Sequence, residues 1–392
     1  MAHHHPHRPH AEHVGSLLRP PALLAARQQH EAGEIGTDAL HEAEDHAVLA
    51  ALAEQQAIGL PVVTDGEYRR SWYGGALAAV VDGLADDPGY VHRARWVGEG
   101  EDGREADEAI ATQVRVGGQV AVAPLRAREP FARREVDFLL AHASTATKVT
   151  TIGPLSLAEA WFGEAGRAAY PTAQHLIDDV VALQAAEVAR IAQQGVAHVQ
   201  LDSVLYVTKL SQPAEVARIA AEFAVPPEEL LGRVLAADNA VLDAARAAGA
   251  TTGVHICRGN NRSAWVPDTG TYEVAVRALS ELVVDRLLLE YDSDRAGDFA
   301  PLRHVPEATT VVLGLVTSKF GVLESRDDLL RRVEEASAFV PLDRLAVSPQ
   351  CGFASTAPGN RLGWDDQRRK LDLVVAVADE VWGDGGRDRS AA

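Results

Sequence analysis

The residue types that could do chemistry are sparse and close to one another in character. Only two cysteines occur in 392 residues, Cys257 in TTGVHICRGNN and Cys351 in RLAVSPQCGF. If TTGVHIC is a strand, His255 and Cys257 leave the same face with Cβ atoms roughly 7 Å apart, and both reach one ion. Imidazole nitrogen and thiolate sulfur are the ligands that borderline-soft zinc prefers. Cys351, at the end of another apolar run, offers a second sulfur, and Glu290, directly after the apolar run in RLLLEYDSD, offers a carboxylate. By itself a cysteine is more often a small buried hydrophobe, and a lone histidine a satisfied polar group. Three such residues at the ends of apolar runs, with Glu290 as a plausible fourth, tilt the balance towards zinc.

A free thiol with pKa near 8.5 is only about 3% thiolate at pH 7. A bound metal deprotonates it outright. A site of two thiolates, one carboxylate and a neutral imidazole around Zn²⁺ sums to about −1. Such an electron-rich centre is a poor Lewis acid and a good setting for a sulfur nucleophile. It favours alkyl transfer to a captured thiol over hydrolysis.

The whole chain bounds the possibilities further. At 41.8 kDa and 47% hydrophobic residues it supports one large domain or two ordinary ones. No uncharged apolar run of about 18 residues occurs, so no membrane span is expected. The first residues, MAHHHPHRPH, lack the apolar stretch of a secretory signal, which points to the cytoplasm. The balance of 56 acidic against 37 basic residues, formally −19, argues against nucleic acid or an anionic membrane as partner. The two cysteines could pair as a disulfide, but a cytosolic chain of this size favours metal ligation or burial.

Eight apolar runs can position these residues: HVGS, PVVTD, KVTTIG, HVQLD, GVHIC, RLLLEY, VVLGLV and RLAVS. Most are followed by helical apolar spacing, as in 38–58, 171–194, 213–249, 271–284, 298–305, 325–339 and 365–381. Continuous apolar strands indicate a parallel sheet, and eight of them a (β/α)8 TIM barrel. A doubly wound open sheet is the rival, weakened because no Gly-rich phosphate loop follows the first strand. The domain reading is a His-rich, disordered N-terminus at 1–12, a single catalytic barrel over 13–383 and a disordered tail at 384–392. A segment rich in Gly, Asp and Arg at about 69–134 reads as an insertion after the second strand, with a hairpin turned on Gly117-Gly118. Glu67, Asp202, His255, Cys257, Glu290 and Cys351 then fall at strand carboxyl ends, where barrel enzymes place their chemistry.

Through HVGSLLRP, VVTDGEYRR, TIGPLSLAEAW, VQLDS, GVHICRGN, LLLEYDS and SPQCGF, the chain resembles the catalytic barrel of the cobalamin-independent methionine synthases. It is most similar to the short bacterial members that lack the N-terminal half. The resemblance implies a zinc enzyme that moves a methyl group from methyltetrahydrofolate to homocysteine in methionine biosynthesis. It makes His255, Cys257, Glu290 and Cys351 the metal ligands. It places Glu67 and Asp202 at the homocysteine amino group as the catalytic and substrate-binding acids, and Ser16 in the same pocket. Asp65, Arg258, Asn260, Lys319 and Trp161 are further pocket candidates.

Three positions depart from the family pattern. Its Asp-Glu-Pro is Asp202-Ser203-Val204 here, its pterin-stacking tryptophan lies one position from Trp161, and its Asp-Ile-His-Ser is Leu315-Val316-Thr317-Ser318. Thr317 therefore stands where the family carries a proton-delivering histidine. The thiol side is kept and the folate side is altered, so the methyl donor is methyltetrahydrofolate or another compound. Rival readings are an alkyl or epoxide transferase acting on another thiol such as coenzyme M, a metal-free lyase like uroporphyrinogen decarboxylase, and a non-catalytic zinc or redox protein.

Overall fold

Runs of Val, Leu and Ile that are apolar on both faces are stable only when covered on both sides, and the fold covers them with helices outside and a filled interior within. The computed structural model describes residues 9–87, 96–98, 118–267 and 269–383. Seven parallel strands form one curled sheet in the order β1 (Val62–Val63), β4 (Ala146–Ile152), β5 (His198–Ser203), β6 (Thr251–Ile256), β7 (Arg286–Glu290), β8 (Thr310–Val316) and β9 (Leu345–Pro349). The remaining two strands, β2 (Val81–Asp86) and β3 (Gln119–Ala127), pair antiparallel as a separate ribbon between β1 and β4 in sequence. The architecture is that of a TIM-like barrel, as the run pattern predicts. Gly117 and the strand expected before it lie outside the described residues, as do the tract 1–8 and the tail 384–392.

The first expected strand, HVGS, is corrected. Regular pairing occurs earlier, where Ala11 bridges Val347 of β9 in parallel fashion. There Glu12 N–H donates to Val347 O at 3.0 Å and Val347 N–H to His10 O at 2.8 Å. Residues 10–12, which the sequence groups with an unstructured terminus, are thus tied to the sheet. Residues 13–16 form no ladder because side chains take their carbonyls. Lys148 donates to His13 O, Gln200 Nε2 to Val14 O at 2.9 Å and Thr64 Oγ1 to Gly15 O at 2.7 Å. On the far side Leu17 N–H reaches Gly66 O at 3.1 Å, just past β1. The segment therefore links the last strand to the first.

Inside the sheet, Val14, Leu288, Val312 and Ala346 form a small apolar plug. Near the strands' amino ends Glu12 joins Lys148 at 3.0 Å and Arg286 at 2.7 Å, and all three side chains are buried. Burial alone would raise the Glu12 carboxyl, but Arg286, Lys148 and His198 hold it well below the usual carboxylate range. The floor of the molecule is a closed ion network. Outside, helices bury one stripe each. In Thr37–Ile58 the stripe is Ala47, Val48, Ala51, Leu52, Gln55 and Ile58, and the helix stops at Gly59 in a left-handed conformation with φ +91°. The helical spacing at 213–249 resolves into two helices, Pro213–Phe223 and Pro227–Ala247. That at 298–305 is a 3₁₀ turn, Ala300–His304. Among the described residues no helix is long and apolar enough to cross a membrane.

Candidate metal centre and substrate pocket

Strand alternation puts His255 on the same face of the chain as Cys257, which follows β6 directly. Glu290 is the last residue of β7, and Cys351 follows β9 by two residues. Parallel register brings these carboxyl ends level, and the four side chains converge. One ligand-type atom from each of His255, Cys257, Glu290 and Cys351 lies within 4.8 Å of all the others, and all four residues are buried. The two sulfurs are 3.8 Å apart and unbonded.

The neighbours orient these groups. His255 Nδ1 meets Leu288 O at 3.2 Å, while Nε2 is buried with no hydrogen-bond partner. A backbone carbonyl on one ring nitrogen and a free second nitrogen is the arrangement that metal-ligating histidines use. Glu290 accepts from Arg258 N–H at 2.5 Å and from Gln350 Nε2 at 3.2 Å. Gly259 N–H points at Cys257 Sγ, 3.3 Å away. The Arg258 guanidinium is spent on Gly270 O, Thr269 Oγ1 and Arg295 O, so it shapes the loop and leaves the pocket to others.

Charge follows geometry. The contact between the thiols drives Cys351 well below the usual thiol range and Cys257 well above it, and His255 and Lys319 further favour the Cys351 thiolate. Burial would depress His255, but Cys351, Asp202 and Glu290 push it up to about 9. Burial raises Glu290, while Lys319 and His255 oppose the rise. This donor set fits a thiophilic divalent ion, whose binding would displace protons from the thiol and imidazole groups.

A second, acidic cluster adjoins the first through Asp202, the register partner of His255. Glu67 follows Asp65-Gly66 after β1 and sits in a left-handed conformation with φ +60°, directly after Gly66 at φ +73°. A non-glycine residue there costs roughly 1–2 kcal/mol, and several contacts hold it in place. Asp65 Oδ1 accepts Glu67 N–H at 2.8 Å, and Arg19 Nη2 donates to Glu67 O at 3.1 Å. The Glu67 carboxyl receives Thr150 Oγ1 at 2.8 Å on Oε1, whereas Oε2 and Asp65 Oδ2 are buried without partners. Asp202, on β5 beside His255 in register, accepts Gln200 Nε2 at 2.7 Å. Burial lifts Asp202 to about 7, with Glu67 adding to the rise and His255 opposing it, and burial lifts Glu67 as well. Two carboxyls held above their ordinary range, one of them with an oxygen buried and unpartnered, are a place for a cationic group.

The other expected residues are placed less uniformly. Ser16 accepts Ala354 N–H at 3.4 Å beside the Cys351 turn. A Cβ on Gly352 would come within 2.0 Å of Ser16 Oγ, so only glycine lets the two backbones approach this closely. Asn260 donates to Gly352 O at 2.7 Å and leaves its Oδ1 unpartnered, and Lys319 is buried with an unpartnered Nζ. Thr317 directly follows β8 with both polar groups used locally, its N–H on Glu324 and its Oγ1 accepting Lys319 N–H at 3.3 Å. Trp161, by contrast, lies in the main hydrophobic core at the end of the helix Pro154–Trp161. Thr150, Gln200, Gln350 and Tyr73 were absent from the sequence reading. Gln200 could have been found by alternation, since it shares a face with Asp202 two residues on.

Residues 10–380 match the model of the family described as cobalamin-independent synthase, catalytic domain. The chain is 35% identical over 376 residues to the uncharacterized protein YxjH of Bacillus subtilis, covering 95% of this chain and 94% of that one. It resembles the structure of a putative vitamin-B12 independent methionine synthase from Listeria monocytogenes, with a TM-score of 0.70, 24% identity and coverage of 97% and 100%. A B12-independent methionine synthase from Shewanella sp. W3-18-1, solved in complex with selenomethionine, aligns with a TM-score of 0.68, 17% identity and coverage of 95% and 97%. The chain belongs to the family of cobalamin-independent synthase catalytic domains.

Proposed function

We propose that this protein is a zinc-dependent thiol methyltransferase whose acceptor is homocysteine and whose product is methionine. The observation that carries the reading is the juxtaposition of two unlike clusters: four ligand-type atoms within 4.8 Å, and the carboxyls of Asp202, in register beside His255, and of Glu67, whose Oε2 is buried without a partner. His255, Cys257, Glu290 and Cys351 would hold the ion. A zinc ion there would keep an incoming thiol ionised at neutral pH, and so nucleophilic. Glu67 and Asp202 would bind the ammonium of an amino-acid thiol, with Ser16 beside them. The selenomethionine held by the Shewanella protein is the selenium analogue of the expected product.

The acceptor test offers homocysteine and a thiol without an amino group, such as coenzyme M, to the zinc-loaded protein with a methyl donor. Methylation of homocysteine alone is expected. Methylation of coenzyme M with homocysteine inert would overturn the reading in favour of the other-thiol transferase.

The donor is a separate matter. With its amide and hydroxyl both engaged locally, Thr317 is placed to support the loop and has no titratable proton to deliver. A positioned general acid is typically worth about 10²- to 10⁴-fold in rate. Slow single turnover with methyltetrahydrofolate and faster turnover with a methylated corrinoid or a sulfonium compound are therefore expected. A folate rate equal to or above every alternative would count against this donor assignment.

A further inference from the structure

Tyr73 lies on the chain segment that follows Glu67. Its backbone N–H donates to Ser355 O at 3.1 Å, and its neighbour Trp72 bridges Thr356 in antiparallel fashion. The segment after Glu67 is thereby stitched to the turn that begins at Cys351. In that turn Ser355 Oγ lies 3.9 Å from Cys351 Sγ and accepts Asn260 Nδ2 at 3.3 Å. The Tyr73 ring packs edge-on to Trp72, with centroids 5.3 Å apart and planes at 84°. Burial holds the phenol protonated, and Cys257, Asp202, Cys351 and Glu67 act in the same direction. Among the described residues no hydrogen bond of the hydroxyl is found. A protonated phenol is a donor, and this one belongs to a residue whose backbone is bonded to Ser355, the residue whose Oγ lies 3.9 Å from Cys351 Sγ.

Resting on the thiol methyltransferase reading, we propose that the Tyr73 hydroxyl donates a hydrogen bond to the sulfur of the bound thiol substrate. The amino group of such a substrate already has Glu67 and Asp202, whereas its sulfur, brought to the Cys257 and Cys351 side, would carry negative charge and lack a donor. The contact discriminates between substrate and product. A charged sulfur is a strong acceptor, and a thioether sulfur is a weak one, so the bond fades once the methyl group has arrived. Tyr73 would thus hold the thiol and release the thioether.

The test is calorimetric titration of the zinc-loaded wild type and of Tyr73→Phe with homocysteine and, separately, with methionine, the zinc content being measured in both proteins. Hydrogen bonds to charged groups contribute about 1.5–3 kcal/mol, so homocysteine should bind the variant about 10- to 100-fold more weakly. Methionine should bind both proteins within about twofold, and zinc content should not change. Equal homocysteine affinity in the two proteins overturns the proposal, as does an equal loss for both ligands, which would move the contact to a group they share. A wild type that binds neither ligand sinks this contact together with the functional reading. If phenylalanine disturbs the Trp72 packing, 3-fluorotyrosine at position 73 keeps the ring and strengthens the donor. It should then tighten homocysteine but not methionine, and an unchanged ratio counts against the contact.

Discussion

The two ends of the barrel treat buried charge in opposite ways. At the amino end Glu12 is matched by Lys148 and Arg286, and both carboxylate oxygens are used. At the carboxyl end Glu67 Oε2, Asp65 Oδ2, Asn260 Oδ1, His255 Nε2 and Lys319 Nζ are buried without hydrogen-bond partners. An unpaired buried polar group costs about 1–3 kcal/mol, and a charged one more. A fold that pairs the charges at one end and leaves polar groups at the other without partners has placed instability where a ligand can relieve it. The floor network joins β4 to β7 through Glu12, and the rim keeps buried donor and acceptor atoms unpaired.

The sharpest break of this contrast is at the metal centre. Cys257→Ser and Cys351→Ser should each lose the metal and with it essentially all methyl transfer, because thiolates dominate the affinity of such a site. Elemental analysis alongside an activity assay checks this. Full zinc in either variant would mean that the ligands are wrongly assigned. Thermal stability without metal should change little, since the site contributes no closed network of its own.

The floor should behave in the reverse sense. Glu12→Gln leaves Lys148 and Arg286 buried with no counter-charge, and breaking such a network by removing one partner costs about 3–5 kcal/mol. Urea unfolding should show that loss, while activity per folded molecule stays at the wild-type level. A variant as stable as the parent would show that the floor network is not what closes the barrel.

Asp238 is an intermediate case. It is fully buried on the helix Pro227–Ala247, where Tyr206 donates to its Oδ2 at 2.8 Å and its Oδ1 has no partner. Burial raises its pKa from the ordinary 3.8 to about 7, against the lowering effect of the Tyr206 hydrogen bond. Below about pH 4 the folded and unfolded chains both carry the proton, so the group is silent. Between about pH 4 and 7 the folded chain keeps a proton that the unfolded chain releases, so stability falls as pH rises, and above about 7 the loss is complete. At about 1.4 kcal/mol per unit the total is on the order of 4 kcal/mol. Asp238→Asn keeps the acceptor for Tyr206 and should flatten this slope, leaving the variant more stable than the parent at pH 8. Parallel unfolding curves from pH 4 to 8 for the two proteins would refute it.

The smallest effect is expected from Glu67→Gln. Loss of a charge-assisted contact should weaken homocysteine binding about 10- to 100-fold. A thiol without an amino group should bind as before, and folding stability should be unchanged or slightly higher, because the removed charge is under-partnered. Competition binding with the two thiols checks this. A large loss of stability would put Glu67 with the floor residues.

Much of this arrangement is legible along the chain, and the reason is range. Apolar runs such as RLLLE and VVLGLV declare strands buried on both faces, and alternation alone places His255 and Cys257 together. Glu290 and Cys351 are marked by where those runs stop. All of these depend on neighbours two to five residues away, which the sequence displays directly. The irregular path of 13–16 is not displayed, because it depends on Lys148, Gln200 and Thr64 taking carbonyls from other strands.

Partner choice across the sheet belongs to the tertiary structure alone. Glu12 meets Lys148 and Arg286 at separations of 136 and 274 residues, and nothing local to Glu12 distinguishes it from a surface acid. Tyr73 is tied to the turn after Cys351 because Trp72 bridges Thr356, and Trp161 turns into the core although its neighbourhood resembles a pocket. The sequence by itself determined which side chains could do the chemistry and that strand ends would carry them. Closure of the sheet decided which of them meet and which groups are left buried without partners, because burial and pairing are properties of surfaces brought together from distant parts of the chain.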